Sequence, residues 1–442
     1  MLPLTPVGPG LSDSAAQREH SAVEREQIVF VGTSDLSGHF RGKSFPEADL
    51  PARMQRGVGL APSNLFLSAF GPIQVTPFGT RGEVLLIPDA STRVFVPFAE
   101  GPAEYFFIGD LRQLDGTAWV LCPREILRRA LARLAAQTGL TLRASFEQEL
   151  TYSGAAAHPA HPYALAGYRR QGVFGELLLA SMRRAGVIPD SFLCEYGPRQ
   201  FEVTSAPAIG LRAADDAVIV RELGQAIAFR LGERVSFTPI PEPNGTGNGT
   251  HIHFSFLDRE GRPVLYDDAQ PWRLAALGRQ FVAGILYHLP AMCGITTPSA
   301  VSYFRLRPNR WAPVRADAGA LDRGVAVRIC PVTGGDAEQR ARQFNLEFRV
   351  ADAAANPYLA LALLIEAGLD GLSRGREIDP ASAAELPQSL AEAIALTESS
   401  ELAARCLGSE LLSGYVAFKR AELASVAGLD DDEVCRRYGD VY

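Results

Sequence analysis

The sequence predicts an α+β protein, with a small and mainly β unit at the N-terminal end and a larger unit in which strands alternate with apolar helices. Two observations carry this. Short extended runs bounded by turn residues occupy the chain before residue 120, and a run at helical spacing opens at Pro123. Beyond it, four stretches alternate apolar and polar residues: Arg143 to Glu149, Phe201 to Val203, His251 to Phe256 and Asn345 to Arg349. Their polar positions hold carboxylates, imidazoles and guanidinium groups.

In chain order, residues 1–20 are rich in Pro, Gly and Ser, lack the basic-then-apolar order of a secretion signal, and read as a loose arm. Residues 21–120 form the β unit. Gln27 to Val31 is extended and apolar. After Gly32 come a turn at Asp35-Leu36-Ser37-Gly38 and then Arg41-Gly42-Lys43. Further strands fall at Val84 to Ile87, Arg93 to Val96 and Tyr105 to Ile108, and Gly109-Asp110 closes the unit. Residues 121–442 form the larger unit. It begins with a helix that has Ile126, Leu127, Ala130, Leu131 and Leu134 on one face and Gly139 at its end. Asn356-Pro357 starts a core helix, a capping side chain followed by Pro at the first helical position, which runs to Gly368. Leu390 to Val426 is helical in pattern, and Asp430 to Glu433 reads as a solvated face rather than a metal site.

Composition limits the function. A 442-residue chain with 47% hydrophobic residues supports a large core. Lys+Arg 43 against Asp+Glu 50 gives a net charge of −7 with no basic run, which excludes a nucleic-acid partner. The most apolar window, Tyr358 to Leu369, is too short for a membrane span and is interrupted by Glu366. Six cysteines, scattered without a CxxC spacing, read as reduced thiols of a cytoplasmic protein. No internal repeat is visible.

In a strand, residues i and i+2 share a face, so Glu147 with Glu149, His251 with His253, and Glu347 with Arg349 project together. Between Glu195 and Glu202 lies Gly197-Pro198, a turn that returns both carboxylates toward one point. Such a charged wall needs something to offset its desolvation, and divalent cations bound to a polyphosphate would do so. The loop Asn244 to Thr250 brings glycines, Gly247 among them, close to an anion. Arg305, Arg323, Arg328 and Arg349 add the fork geometry that binds carboxylate or phosphate. Taken singly, these glutamates are ordinary strand-surface residues, the loop is a hairpin, and the arginines are surface ion-pair partners. Only their convergence points to a site.

Together these stretches resemble the glutamine synthetase family. The residues that carry the resemblance are Ser145 to Glu149 (family form E-x-E), Glu195-Tyr196-Gly197-Pro198-Arg199-Gln200-Phe201-Glu202, Gly247 to Ser255, Arg323 to Arg328, and Asn345 to Leu361, in the family's order. The resemblance implies a β-grasp-like N-terminal domain before a catalytic domain with a curved antiparallel sheet and flanking helices. It implies that Glu149, Glu195 and Glu202 hold one metal and that Glu147, His251 and Glu347 hold a second, both Mg²⁺ or Mn²⁺. His253 and Ser255 would then contact ATP, Arg328 its phosphates, and Arg305, Arg323 and Arg349 glutamate or the transferring phosphoryl group. It also implies a homo-oligomer, a dodecamer of two hexameric rings.

Two departures from the family pattern bear on the second substrate. Ammonia-using members have an acid in a loop of the form R-L-x-P-x-x-E-A-P, whereas this chain reads Arg305-Leu306-Arg307-Pro308-Asn309-Arg310-Trp311-Ala312-Pro313, with Trp311 at the acid position. Where the family's N-terminal domain has F-D-G-S-S, the counterpart is Leu60-Ala61-Pro62-Ser63-Asn64, with Ala61 at the aspartate. Ammonium has lost two counter-charges. The expectation is therefore an ATP-dependent ligase that joins glutamate to an organic amine, with an ammonia-using glutamine synthetase, or an inactive member with a structural or regulatory role, as alternatives. Asn345 stands where many members have an arginine, and no adenylylation segment is recognisable in Ser382 to Thr397.

Overall fold

The computed structural model describes residues 25–155 and 162–442, so the arm of residues 1–20 lies outside the described residues. The N-terminal sheet contains β1 (Ile28–Ser34), β2 (Phe40–Pro46), β3 (Val58–Leu60), β4 (Val84–Pro88), β5 (Val94–Val96) and β6 (Glu104–Arg112), ordered β2-β1-β6-β4-β3 with β5 also on β6. β1 and β6 run parallel, and a hairpin and a short helix at Leu50–Arg56 flank them, a β-grasp-like arrangement. The first strand continues through Gly32 to Ser34. That glycine faces Gly42 across the hairpin, and a Cβ on Gly42 would lie 1.7 Å from the carbonyl oxygen of Val31, so close pairing rather than a strand end explains the two glycines.

The large domain is built on a nine-stranded sheet. Its strands are β7 (Thr141–Tyr152), β8 (Pro189–Cys194), β9 (Gln200–Ser205), β10 (Ala208–Ile209), β11 (Val235–Ser236), β12 (Thr250–Leu257), β13 (Ala318–Ala320), β14 (Val327–Ile329) and β15 (Leu346–Phe348). The order is β13-β14-β15-β12-β7-β9-β8, with β10 and β11 also on β7, antiparallel except for β13 and β14. Along β7, buried and partly exposed residues alternate strictly. Leu142, Ala144, Phe146 and Leu150 pack in the core, and Gln148 on the same face donates to the carbonyl of Ala217 in the helix Leu211–Arg230 at 2.8 Å. Helices thus cover one face of the sheet, and the opposite face is left for polar residues.

The core helix Pro357–Arg374 starts where expected: the Asn356 side chain accepts from the backbone N–H groups of Tyr358 and Leu359, and Pro357 occupies the first position. It runs past Gly368 to a left-handed Gly375. Gly368 and Gly371 are contact points, not terminators: a Cβ on Gly371 would lie 2.1 Å from the carbonyl of Gln280, and one on Gly368 would strike the Phe281 ring, both in the helix Ala276–Thr296. The region from Leu390 to Val426 forms three helices rather than one, Leu390–Glu398, Glu401–Leu407 and Ser409–Ser425. Ser400 caps the second, and Gly408 at φ 83° separates the third. Asp430 caps the helix Asp431–Gly439 by accepting from the N–H of Glu433, so this acidic run serves a helix start.

A buried guanidinium joins the two domains. Arg124, fully buried at the start of the helix Pro123–Thr138, donates to Asp215 at 3.0 and 2.9 Å, to Asp110 at 2.6 Å and to Asp89 at 3.0 Å. Asp89 and Asp110 belong to the N-terminal domain, and Asp215 lies on the helix Leu211–Arg230. Removing one partner of such a cluster strands the others without compensation, so Arg124→Met should destabilise the protein by about 3–5 kcal/mol. Urea unfolding of wild type and variant measures this, and an unchanged midpoint would refute it.

Candidate active site

Strand register assembles the site. The antiparallel pairing of β7 with β12 sets Glu147 opposite His251, and that of β7 with β9 sets Glu149 opposite Glu202. β12 with β15 sets His253 opposite Glu347, and β14 with β15 sets Arg328 opposite Glu347. These cross-strand neighbours lie close enough to share a ligand. A slip of one residue in any pairing would turn the charges into the core and the core residues to solvent, so burial of the helix-covered face fixes the site as well.

Two ligand groups result: Glu147, His251 and Glu347 form one, and Glu149, Glu202 and His251 the other, with one donor atom from each residue within 4.8 Å of the others. His251 belongs to both. Within the first, His251 Nδ1 stands 3.2 Å from a Glu147 oxygen and 3.5 Å from one of Glu347. The carboxylate of Glu149 is already oriented, since its Oε2 accepts from the Gly249 N–H at 2.8 Å and from Gln200 Nε2 at 3.2 Å.

The electrostatics favour a compensating positive charge. Burial, reinforced by the charges of Glu147, Glu149 and Glu195, pushes the Glu202 carboxyl up to about 9. Burial and the Glu149 charge also raise Glu195. Oxygen-rich donors with an imidazole, held close at this charge cost, fit hard divalent cations, which would replace protons as the compensating charge. Glu195 departs from the expected ligand set. Its carboxylate lines the same cavity but stands outside both groups, accepting from the Tyr163 hydroxyl at 2.8 Å.

The arginines divide into two sets. Arg328 donates to Glu347 Oε2 at 2.8 Å, and Arg349 holds the other oxygen of the same carboxylate. Arg305 is buried with its Nη2 on the carbonyls of Val350 and Ala351, which aims it along the cavity wall. A Cβ on Gly247 would lie 2.5 Å from Arg305 Cγ, so the glycine is what lets the loop pass this side chain. Arg323 is exposed at the rim. Arg305, Arg323, Arg349, Gly247 and four glutamates line one cavity of ≈ 900 Å³, together with His251 and Trp311. Arg328, His253 and Ser255 lie outside its lining. His253 lies two residues further along β12, with Nδ1 2.8 Å from Asn345 Oδ1 and Nε2 3.0 Å from Glu147, and Ser255 accepts from Arg143 Nε at 3.2 Å.

Trp311 is 62% exposed, at φ 56°, and stacks on Tyr196, which is 47% exposed, with centroids 5.9 Å apart and planes 20° from parallel. The two rings form an aromatic lip on the cavity. Ala61 is not brought to it. It stands at the end of β3 and lines a separate cavity in the N-terminal domain. Sequence reasoning missed Tyr163, Gln200 and Asn248 as site residues. Gln200 donates to Glu149, to the Gly247 carbonyl and to Asn248, fixing the loop to the acids. Gln200 and Asn248 lie within the motif stretches, but an uncharged amide gives no signal there, and Tyr163 belongs to a loop without local pattern.

A largely antiparallel sheet that brings two acid–imidazole groups and several arginines to one cavity fits a metal-dependent enzyme for small anionic substrates. The chain belongs to the glutamine synthetase family: the model of the glutamine synthetase catalytic domain matches residues 120–438, and that of the glutamine synthetase N-terminal domain matches residues 14–119. The chain is 35% identical to a γ-glutamylpolyamine synthetase of Streptomyces coelicolor, over 93% of this chain and 92% of that protein. It is 27% identical to a γ-glutamylanilide synthase of an Acinetobacter species, over 94% and 91% respectively. A solved structure described as a novel glutamine synthase homolog superposes with a TM-score of 0.90 at 39% identity, covering 95% of this chain and 99% of that one. The protein is therefore a carbon–nitrogen ligase of a family that uses ATP and a divalent metal. Among the described residues no helix is long and apolar enough to cross a membrane, and all six cysteines are buried.

Proposed function

We propose that this enzyme joins the γ-carboxylate of glutamate to an organic amine with ATP, through γ-glutamyl phosphate. The observation that carries this reading is the Trp311–Tyr196 lip, an aromatic surface where an ammonia-using site needs a carboxylate. The names of the Streptomyces and Acinetobacter relatives point the same way. Glu149, Glu202, Glu147, His251 and Glu347, with Glu195 joining them when freed from Tyr163, would hold Mg²⁺ or Mn²⁺, which neutralises phosphate charge when bound. Arg305 and Arg349 would bind glutamate, Arg323 at the rim would stabilise the transferring phosphoryl group, and Arg328, His253 and Ser255 would meet the nucleotide. The amine then forms the C–N bond while phosphate leaves and the nitrogen loses a proton. The Glu195 carboxylate at the cavity wall would receive that proton, while the Tyr163 hydroxyl that donates to it stays protonated.

The test measures ADP release and product mass with glutamate, ATP, Mg²⁺ and either ammonium or a panel of alkyl, aryl and polyamines. The reading predicts that at least one amine gives a γ-glutamyl-amine faster than ammonium gives glutamine; the opposite ranking across the panel refutes it. We further propose a cytoplasmic enzyme, on six scattered cysteines without a disulfide-type spacing and the use of ATP, assembled as a dodecamer of two hexameric rings. Light scattering should then give a mass near twelve times the 47.6 kDa chain, and an active monomer would overturn the assembly.

A further inference from the structure

The side-chain amide of Gln200, buried at the start of β9, has more acceptors than hydrogens. Its orientation is fixed, because Oε1 accepts from the Gly197 N–H at 2.9 Å and leaves Nε2 as the donor end. Three acceptors surround Nε2: the Gly247 carbonyl at 2.7 Å, Asn248 Oδ1 at 2.9 Å and Glu149 Oε2 at 3.2 Å. An amide gives two hydrogens, so one acceptor is always short of a full bond. Two of the three depend on Gln200 alone. Among the described residues the Gly247 carbonyl has no other donor, and Asn248 turns its Nδ2 to the Thr238 carbonyl at 3.0 Å and to Thr151 Oγ1 at 3.2 Å, which leaves Oδ1 facing Gln200. Glu149 Oε2 keeps a second donor, the Gly249 N–H at 2.8 Å.

We propose that Gln200 is a positioning residue that couples the loop of residues 244–247 to cation binding at Glu149. While the Glu149 carboxylate carries its full charge, it draws an amide hydrogen in a charge-assisted bond, at the expense of Gly247 or Asn248. Once that charge is shared with a cation, the carboxylate is a weaker acceptor, and both hydrogens go to Gly247 and Asn248. The loop is built to respond. Its base is fixed, with Asn248, Gly249 and Thr250 buried and the Thr250 N–H on the Ala351 carbonyl at 3.0 Å, whereas Asn244 and Thr246 at its tip are exposed. Gly247 joins tip to base and packs against Arg305. Cation binding therefore firms the loop against the arginine that would hold glutamate, and by linkage glutamate strengthens cation binding by the same factor. The proposal rests on Glu149 as a metal ligand and Arg305 as a glutamate ligand, and is independent of which amine is used.

Amide hydrogen exchange and calorimetry on the full-length protein test this without turnover. In the wild type, saturating Mg²⁺ should slow exchange at Gly245, Thr246 and Gly247 by about fivefold, the worth of one ordinary hydrogen bond, and should tighten L-glutamate. Gln200→Met keeps the side-chain length and removes both donors. In it the slowing should vanish, and the gain in glutamate affinity from Mg²⁺ should shrink by about fivefold, leaving the direct attraction between cation and glutamate. A purely structural role for Gln200 would alter exchange equally with and without Mg²⁺. Slowing that persists in Gln200→Met overturns the role of Gln200. If that variant does not fold, the wild type decides: Mg²⁺ that raises the melting temperature but leaves loop exchange unchanged overturns the coupling while the metal site stands. Mg²⁺ that leaves the melting temperature unchanged removes the metal site, and the coupling falls with it.

Discussion

Glu149→Ala is expected to lower kcat by on the order of 10³-fold, since an anionic cation ligand in a site of this type supplies several kcal/mol of transition-state stabilisation. The fold should survive. Glu149 raises both Glu195 and Glu202 through charge repulsion, so its removal relieves the cation-free protein even though the hydrogen bonds from Gly249 and Gln200 are lost. Two measurements separate a metal role from a structural one. Added Mg²⁺ should raise the melting temperature of the wild type, because a ligand bound only to the native state stabilises it, and this response should shrink in the variant. Without metal, the variant should melt no lower than the wild type. Wild-type-like turnover by Glu149→Ala under limiting metal would remove this residue from the ligand set.

Exchanging the amine-side residues should reverse the nucleophile preference. The Trp311 ring offers apolar surface to a substrate tail, and burying it contributes about 0.8 kcal/mol per methylene. A three-carbon tail then brings about 2.4 kcal/mol, roughly 50-fold in kcat/KM, which ammonia cannot recover. Trp311→Glu combined with Ala61→Asp removes that surface and supplies two carboxylates, so activity with the preferred amine should fall and activity with ammonium should rise. Within one chain Ala61 lies in a different domain from the lip, away from the acid-lined cavity. The effect of Ala61→Asp is therefore expected only in the assembled oligomer, through a neighbouring subunit. A double variant that loses the amine without gaining ammonium would refute the assignment of these positions.

Much of this site is legible in the sequence. The alternation in Arg143 to Glu149 placed Glu147 and Glu149 on one face, and the strict burial alternation of β7 reflects the same two-residue period. Asn356-Pro357 marked a helix start through chemistry local to two residues. Glycines misled in one respect. Gly32 and Gly368 read as stops, but each lies inside its element, because a missing side chain serves a close approach by another part of the chain as readily as a turn.

The sequence by itself determined which side chains share a face, since a strand turns successive residues to opposite sides whatever surrounds it. It also supplied the chemistry of those faces and the expectation that Trp311 and Ala61 stand where ammonia-using relatives carry acids. Only the tertiary structure decided which faces meet. Glu147 reaches His251, and Glu149 reaches Glu202, through backbone pairing of strands distant in sequence, a register chosen by burying Phe146, Leu150 and Ile252 beneath the helices. The same long-range packing drew Glu195 to Tyr163, outside both ligand groups, and stacked Trp311 on Tyr196. No local period encodes such contacts, because they form between segments that touch only after the core has closed.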